Sequence, residues 1–373
     1  MRKRTIRFLW AILAFLVVSV TVVADTAEPV ADQTLVAVVA YVADEREIEV
    51  LGYPRLVQDL ELVVRTGPRA DELLEVEHHI ETYAGQVPYK VGDLVYVTET
   101  IVEGEAPAYY IAGYVRWPRL GFLAVALVAL VVLVARDRGA LSLLGMVFSF
   151  AVIFALVLPR LAEGREPVSS ALLGAVVTMP VSYYLAHGLN RKTTVALVGS
   201  LIGLGLTGLV AVAAVEVAQL SGYASEEVGL LRVMRPEVVD VRGLLLAGMI
   251  VSMLGVLDDI TVAQAAVVEQ LHRANPAFTW QQLYQRAMQV GQDHLASMVN
   301  TLVLVFAGAA LPLLLLMTDQ AMSPWYALSL EPVAEEVVRM LVTSCGMVAT
   351  VPISTGLAAL ATRWRRRPGP TAE

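Results

Sequence analysis

The sequence predicts a polytopic α-helical membrane protein. About eight transmembrane helices are expected, with a small extracytoplasmic β-barrel or β-sandwich between the first and second. Three observations carry this reading. The 373 residues are 57% hydrophobic and 17% charged, with mean hydropathy +0.65, whereas soluble domains carry about 25% charge. Apolar runs of spanning length recur from Leu120 onward. The basic residues gather at particular junctions, so the net charge of −8 describes no single surface. A single cysteine, Cys345, excludes an internal disulfide and leaves the compartment to be read from topology.

MRKRTIR precedes an apolar run from Phe8 to Ala24. Residues 1–29 therefore read as a signal-anchor helix, with VVAD offering signal cleavage after Ala24 as the alternative. Either outcome exports residues 30–116, the one extensive polar region. TLVAVVAYV, LELVVRT, LLEVEHHIETY, DLVYVTETIV and AYYIAGYV are short, β-branched or aromatic, and separated by Gly, Pro or charge. They predict a β-domain, with a Gly-Asp turn in YKVGDLVYV ahead of an alternating strand. His78 and His79 are neighbours, so a strand sends them to opposite faces and they form no ligand pair.

A membrane domain is expected over residues 117–362, with spans near 118–135, 140–159, 169–187, 193–215, 242–262, 295–317 and 338–361. Each supplies about 20 residues, enough at about 1.5 Å rise for a core of about 30 Å. A cytoplasmic helical hairpin at 266–293 separates the spans at 242–262 and 295–317. In it Asn275-Pro276 breaks one helix and Thr279, with Gln282 three residues later, caps the next. Residues 363–373 form a basic tail. Arg136, Arg138, Arg191, Lys192, Arg273, Arg286 and the terminal RWRRR fall on one side of this arrangement. Glu163, Glu166, Glu226, Glu227, Glu331, Glu335 and Glu336 fall on the other, with Arg232, Arg235 and Arg242 among them. The positive-inside rule then places both termini in the cytoplasm and residues 30–116 outside the inner membrane.

GVLDDITVAQA sets two carboxylates, Asp258 and Asp259, between apolar flanks. The uncharged stretch before them, Gly243 to Leu257, has 15 residues, about 22 Å of helix and too short to cross. Completing the span draws Asp258 and Asp259 into the membrane or its inner boundary. A lipid-facing carboxylate is costly, so these side chains are expected to face the bundle interior or a watered crevice. Thr261 and Gln264 continue the polar positions along that helix. In the next span Asp293, Ser297, Asn300 and Thr301 recur at three- or four-residue spacing and make one polar face. The two helices are thus expected to bring their acids to one depth, as a proton or cation coupling site. As metal ligands Asp258, Asp259, Asp293 and His294 form only a loose set, without HExxH-like spacing, and no cofactor is assigned.

Gly199, Gly203 and Gly255 are assigned to close helix packing, the first two through GxxxG spacing. Thr178, Pro180, Ser182 and Tyr183 in one span, and Pro352, Ser354 and Thr355 in the last, are softer polar or kinking features. The glycines of VGSLIGLGLTG lack the Lys and the strand–turn–helix context of a nucleotide loop, and no nucleophile elbow is present.

GVLDDITVAQA, followed by HRANP, QQLYQRAMQVGQDHLASMVNTLVLVFAGAALPLLLL and EEVVRMLVTSCGMVATVPIST, resembles the YibE/F-like family of prokaryotic membrane proteins. The resemblance runs from about residue 36 and is most specific from 243 to 361. It implies an exported N-terminal domain followed by a multi-helix membrane domain. It carries Asp258, Asp259, Asp293, His294 and Asn300 onto the family's characteristic polar positions, with Gln292 where the pattern is basic, as GRDH.

The leading functional expectation is a secondary transporter or exporter coupled to a proton or cation. A non-transporting assembly or sensor protein, binding an envelope partner through its β-domain, is the alternative. A membrane metalloenzyme ranks third, and enzymatic activity is not the expectation. The lipid bilayer is the one partner the sequence demands. An envelope protein, a homo-oligomeric contact and a separate ATPase stay open, and nothing indicates nucleic acid.

Overall fold

A computed structural model describes residues 34–50, 53–66, 69–80, 87–100, 107–235, 240–319 and 322–363. The expected N-terminal helix and basic tail lie outside the described residues. The chain divides into two compact units, Met1–Leu133 and Val134–Glu373.

The first unit holds one antiparallel sheet of five strands, β1 (Thr34–Val50), β2 (Tyr53–Val64), β3 (Leu73–Ile80), β4 (Leu94–Thr100) and β5 (Ala108–Tyr114), in the order β3-β2-β1-β4-β5. Alternation makes it one-sided. Leu35, Ala37 and Val39, Leu60, Leu62 and Val64, Leu74 and Val76, and Val95 and Val97 all bury the same face. The edges β3 and β5 approach each other, so the sheet curls around that face. Among the described residues no ladder joins β3 to β5 and no second sheet stacks on the first. Among the described residues the unit is thus one curled antiparallel sheet, which does not confirm the expected barrel or sandwich. The Gly-Asp turn lies where expected, with Gly92 at φ 91° and Asp93 Oδ2 accepting from Lys90 N at 2.9 Å. Gln58, buried in β2, clasps the Tyr89 backbone through both amide atoms, at 2.9 and 3.2 Å.

Helix α1 (Trp117–Val152) starts in this unit and continues into the second. It runs through a π-helical turn, Ile153–Val157, into α2 (Leu158–Ala162), giving one helical run of 46 residues where two spans are expected. One residue, Arg136, breaks the run, with φ 53° and ψ −134°. The expected loop between spans 118–135 and 140–159 is thus a single non-helical residue. The π-turn precedes Pro159, whose missing N–H and bulky ring disfavour regular α-geometry at that point.

The second unit continues with α3 (Pro167–His187), α4 (Arg191–Val217), α5 (Glu226–Met234), α6 (Val241–Ala274), α7 (Trp280–Ala309), α8 (Leu311–Asp319), α9 (Pro324–Ser329) and α10 (Glu331–Arg363). Their starts follow from caps written in the sequence. Glu166, Asn190, Asp240 and Thr279 each accept a first-turn backbone N–H, and Thr279 and Gln282 form the full capping box. The hairpin expected at 266–293 is the joined ends of α6 and α7 around Asn275–Thr279, not a separate pair of helices. Its Trp280, Leu283 and Tyr284 pack on the core. α7 and α8 bend by 63° at the break before Pro312.

α6 is the central helix, packed against α3, α4, α7 and α10. Its Met249, Met253, Leu257 and Ile260 are fully buried, whereas Leu209 on α4, Phe154 in the π-turn and Leu315 on α8 are widely exposed. Large apolar side chains on the outside of a packed bundle match a lipid environment. Among the described residues, five helical runs are long and apolar enough to cross a membrane, or six if the bent α7–α8 pair counts as one crossing.

Candidate functional site

Where α1, α3 and α6 meet, the second unit encloses a cavity of about 220 Å³. Most of its wall is apolar: Ile153 and Val157 from the π-turn, Ala171 and Ala175 from α3, Val251 and Leu254 from α6. Ser149, Thr178, Ser182, Tyr183 and Asp258 supply its polar atoms. The helices touch tightly around the cavity and not across it. A Cβ at Gly174 would come within 2.6 Å of Val157 Cγ2, and one at Gly145 within 3.4 Å of the Ser182 backbone. Beside that contact the Ser149 and Ser182 hydroxyls lie 3.2 Å apart. A mostly apolar chamber with a few convergent polar groups has the general form of a ligand or ion site.

Asp258 is half-buried in this wall, within electrostatic reach of the hydroxyl of Tyr183, which lines the same cavity. Tyr183 itself is buried and bonds Ser200 Oγ, and its hydroxyl lies 3.0 Å from Thr261 Oγ1. Ser200 and Thr261 are fully buried and 2.6 Å apart, and both donate to the Leu257 carbonyl. Three helices, α3, α4 and α6, thereby join one cluster of hydroxyls beside a carboxylate. Hydroxyls both donate and accept, so such a cluster can reverse its hydrogen-bond direction when the carboxyl gains or loses a proton.

Gln264, one helical turn beyond Thr261, belongs to a second buried cluster. Its Oε1 accepts from Thr355 Oγ1 at 3.0 Å. A Cβ at Gly291 would lie 2.8 Å from Gln264 Nε2 and 3.0 Å from Val351 Cγ1, so α6, α7 and α10 close on one another there. Gln264 ties these three helices together and does not face the cavity.

The remaining predicted positions are dispersed. Asp259 is exposed and lies within electrostatic reach of His187. Asp293, His294, Ser297 and Asn300 all lie on an exposed face of α7, and none lines the cavity around Asp258. The expected meeting of acids from two helices is absent there because α7 packs against its neighbours through its apolar face, with Leu295, Met298, Val299 and Leu302 around Ile260, Met347 and Val351. Among the described residues no three His, Cys, Asp or Glu side chains form a metal-holding group. Asp258, Asp259, Asp293 and His294 therefore make no ligand set.

Gly199 and Gly203 pack as their spacing implies. They meet Ser354 and Thr350 of α10, and one turn further Thr207 meets Gly346, in an antiparallel register stepping four residues on each helix. The Thr207 and Thr350 hydroxyls bond the carbonyls of Gly203 and Gly346 within their own helices, so these polar atoms are satisfied at the contact. Gly255 differs: a Cβ there would meet nothing within 4 Å, and it lines the cavity. Its missing side chain enlarges the chamber and brings no helix closer.

Tyr183 and Thr355 stood among the softer polar features of their spans, and Ser200 read as an ordinary small residue. Their role depends on which helices become neighbours, which no local spacing states. Ser200 sits one position after Gly199, and that offset is the one sequence signal that could have placed it beside a helix contact.

The fold and site define a class: a helical membrane protein with an ionisable cavity inside its bundle and an antiparallel sheet in its N-terminal part. The family model for YibE/F-like proteins matches residues 123–364, and the chain belongs to that family. The match starts within α1, so the sheet lies outside it. No curated protein and no solved structure matches the chain.

Proposed function

We propose that this protein is a secondary transporter or exporter that couples solute movement to a proton or cation at Asp258. One observation carries the reading: a carboxylate inside an apolar helix bundle opens on a cavity and is backed by a hydroxyl cluster. An ionisable side chain within a membrane bundle is costly to keep, and ion pathways and proton relays are its usual context. In this reading the charged Asp258 accepts from Tyr183. In the protonated state it donates to Tyr183, which then donates to Ser200, while Ser200 turns to the Leu257 carbonyl. Every buried polar atom keeps a partner in both states, so loading and unloading need no unsatisfied group.

The long Trp117–Ala162 run serves in this reading as two crossings hinged at Arg136, since 46 residues exceed one membrane thickness about twofold. With the N-terminal segment as an anchor the total is eight. Orientation follows from the asymmetry of the bundle. The arginines at its acidic end are engaged: Arg242 with Glu216 at 2.5 Å, Arg235 with the Ala162 carbonyl, Arg232 over the Tyr223 ring. At the other end Arg138, Arg191 and Lys192 have no ion-pair partner among the described residues, which supports that end as cytoplasmic.

The test is proton flux in liposomes holding the purified protein and a trapped pH dye, driven by a potassium diffusion potential. Wild type is expected to acidify the lumen, Asp258→Asn to fall at least about tenfold, toward empty liposomes, and Asp293→Asn to retain flux. Equal flux from wild type and Asp258→Asn would end the coupling proposal.

A further inference from the structure

At the end of the bundle where α3 and α4 join, two cavities of about 550 and 260 Å³ share Asn190, Lys192, Glu269 and Arg273 in their walls, and so form one groove. Four cationic side chains line it, Arg138, Arg191, Lys192 and Arg273, against a single carboxylate, Glu269. Arg273 already bonds that carboxylate at 2.6 Å. Arg138, Arg191 and Lys192 are thus left with no anionic partner among the described residues. The deeper wall is apolar, built from Val195, Ala265, Val268, Ala358 and Ala361.

Orientation alone does not require this arrangement. The positive-inside bias acts on charges in loops and is satisfied by side chains spread into water. Here residues separated widely in sequence bring their charges to one pocket that also has an apolar wall. The two halves ask for different chemistry: the rim for a multiply charged, oxygen-rich anion, the floor for hydrocarbon. Arginine forks and a lysine ammonium suit phosphate oxygens in particular.

We propose that this groove binds the phosphate group of an amphiphile, with its hydrocarbon laid against Val195, Val268 and Ala358. The source in a membrane is the phosphate of an anionic lipid headgroup. A free phosphorylated solute would use the same rim without the floor.

The experiment uses the full chain purified in a non-ionic detergent, with Tm as the readout. Short-chain phosphatidylglycerol, short-chain phosphatidylcholine and inorganic phosphate are added separately. Phosphatidylglycerol is expected to raise Tm by roughly 3 °C or more, because it binds the folded state alone. Phosphatidylcholine is expected to give little shift, and Arg191→Gln/Lys192→Gln to lose the phosphatidylglycerol shift. An equal shift with inorganic phosphate, lost in the same variant, assigns the site to a free anion and overturns the lipid source. No shift with either anion overturns the site altogether, as does a phosphatidylglycerol shift that the variant keeps. If the double variant does not fold, Arg138→Gln, at the opposite rim, is read by the same criteria.

Discussion

Asp258 lies half-buried between α3 and α6, with a tyrosine hydroxyl within electrostatic reach and a cavity on its open side. A charged carboxylate in such surroundings costs several kcal/mol unless water or donors compensate it. Tyr183 offers a donor from the protein side. Tyr183→Phe leaves Ser200 and Thr261 paired at 2.6 Å but deprives Asp258 of that donor. The expected loss is about 1–3 kcal/mol of stability, read as a lower Tm, together with slower proton flux. Unchanged Tm and flux in that variant would show that the hydroxyl cluster has no role. The two neighbouring acids were visible in the sequence, but their inequality was not. A 100° offset on a helix tells that Asp258 and Asp259 face apart, yet only the positions of α3 and α4 decide which of them meets a tyrosine and which meets solvent.

Among the elements, α4 and α10 show how far a spacing can be read. GxxxG announced a close contact at Gly199 and Gly203, and the structure supplies the partner, a helix more than a hundred residues away that presents Ser354, Thr350 and Gly346 in matching steps. A Cβ at Gly203 would overlap the Thr350 side chain. Gly203→Ala is therefore expected to cost about 1–3 kcal/mol through overpacking, and Thr350→Ala in the same chain to recover part of it. Thermal unfolding of the two single variants and the double variant checks this, and strict additivity would contradict the contact. Helix starts were legible for a different reason: caps are local, and Thr279 with Gln282 closes its box within four residues. Glu166 caps α3 in a similar way. Desolvation alone would raise its pKa, but hydrogen bonds from Ser169 and Val168 outweigh that and hold it below the usual carboxylate range. Its stabilisation is therefore present above the unfolded value near pH 4.5 and fades as pH falls through the lower folded value. Glu166→Ala is expected to cost about 1 kcal/mol at neutral pH, with the gap to wild type narrowing under acid conditions in a Tm–pH series. The break at Arg136 was legible as a place, because Arg136-Asp137-Arg138-Gly139 interrupts the apolar run, but its form, one non-helical residue and no loop, was not.

At the scale of the whole molecule, composition gave the membrane class and alternation gave the strands, since both are properties of residues taken alone or with near neighbours. The curling of the sheet and the outward turn of the Asp293 face depend on contacts between distant segments. Orientation is testable directly: a cytoplasmic reporter fused after Arg367 is expected to be active and an exported one silent, the reverse pattern inverting the bundle. The central claim is that the chamber beside Asp258 is wet while the surrounding bundle lies in lipid. In a Cys345→Ser background, Ser182→Cys places a thiol on the chamber wall and Leu209→Cys places one on the outer face of α4. The thiol introduced at 182 is expected to react with a small, charged methanethiosulfonate reagent in intact membranes, and the one at 209 to stay inert. Equal inertness at both positions would mean a dry chamber and would contradict the account.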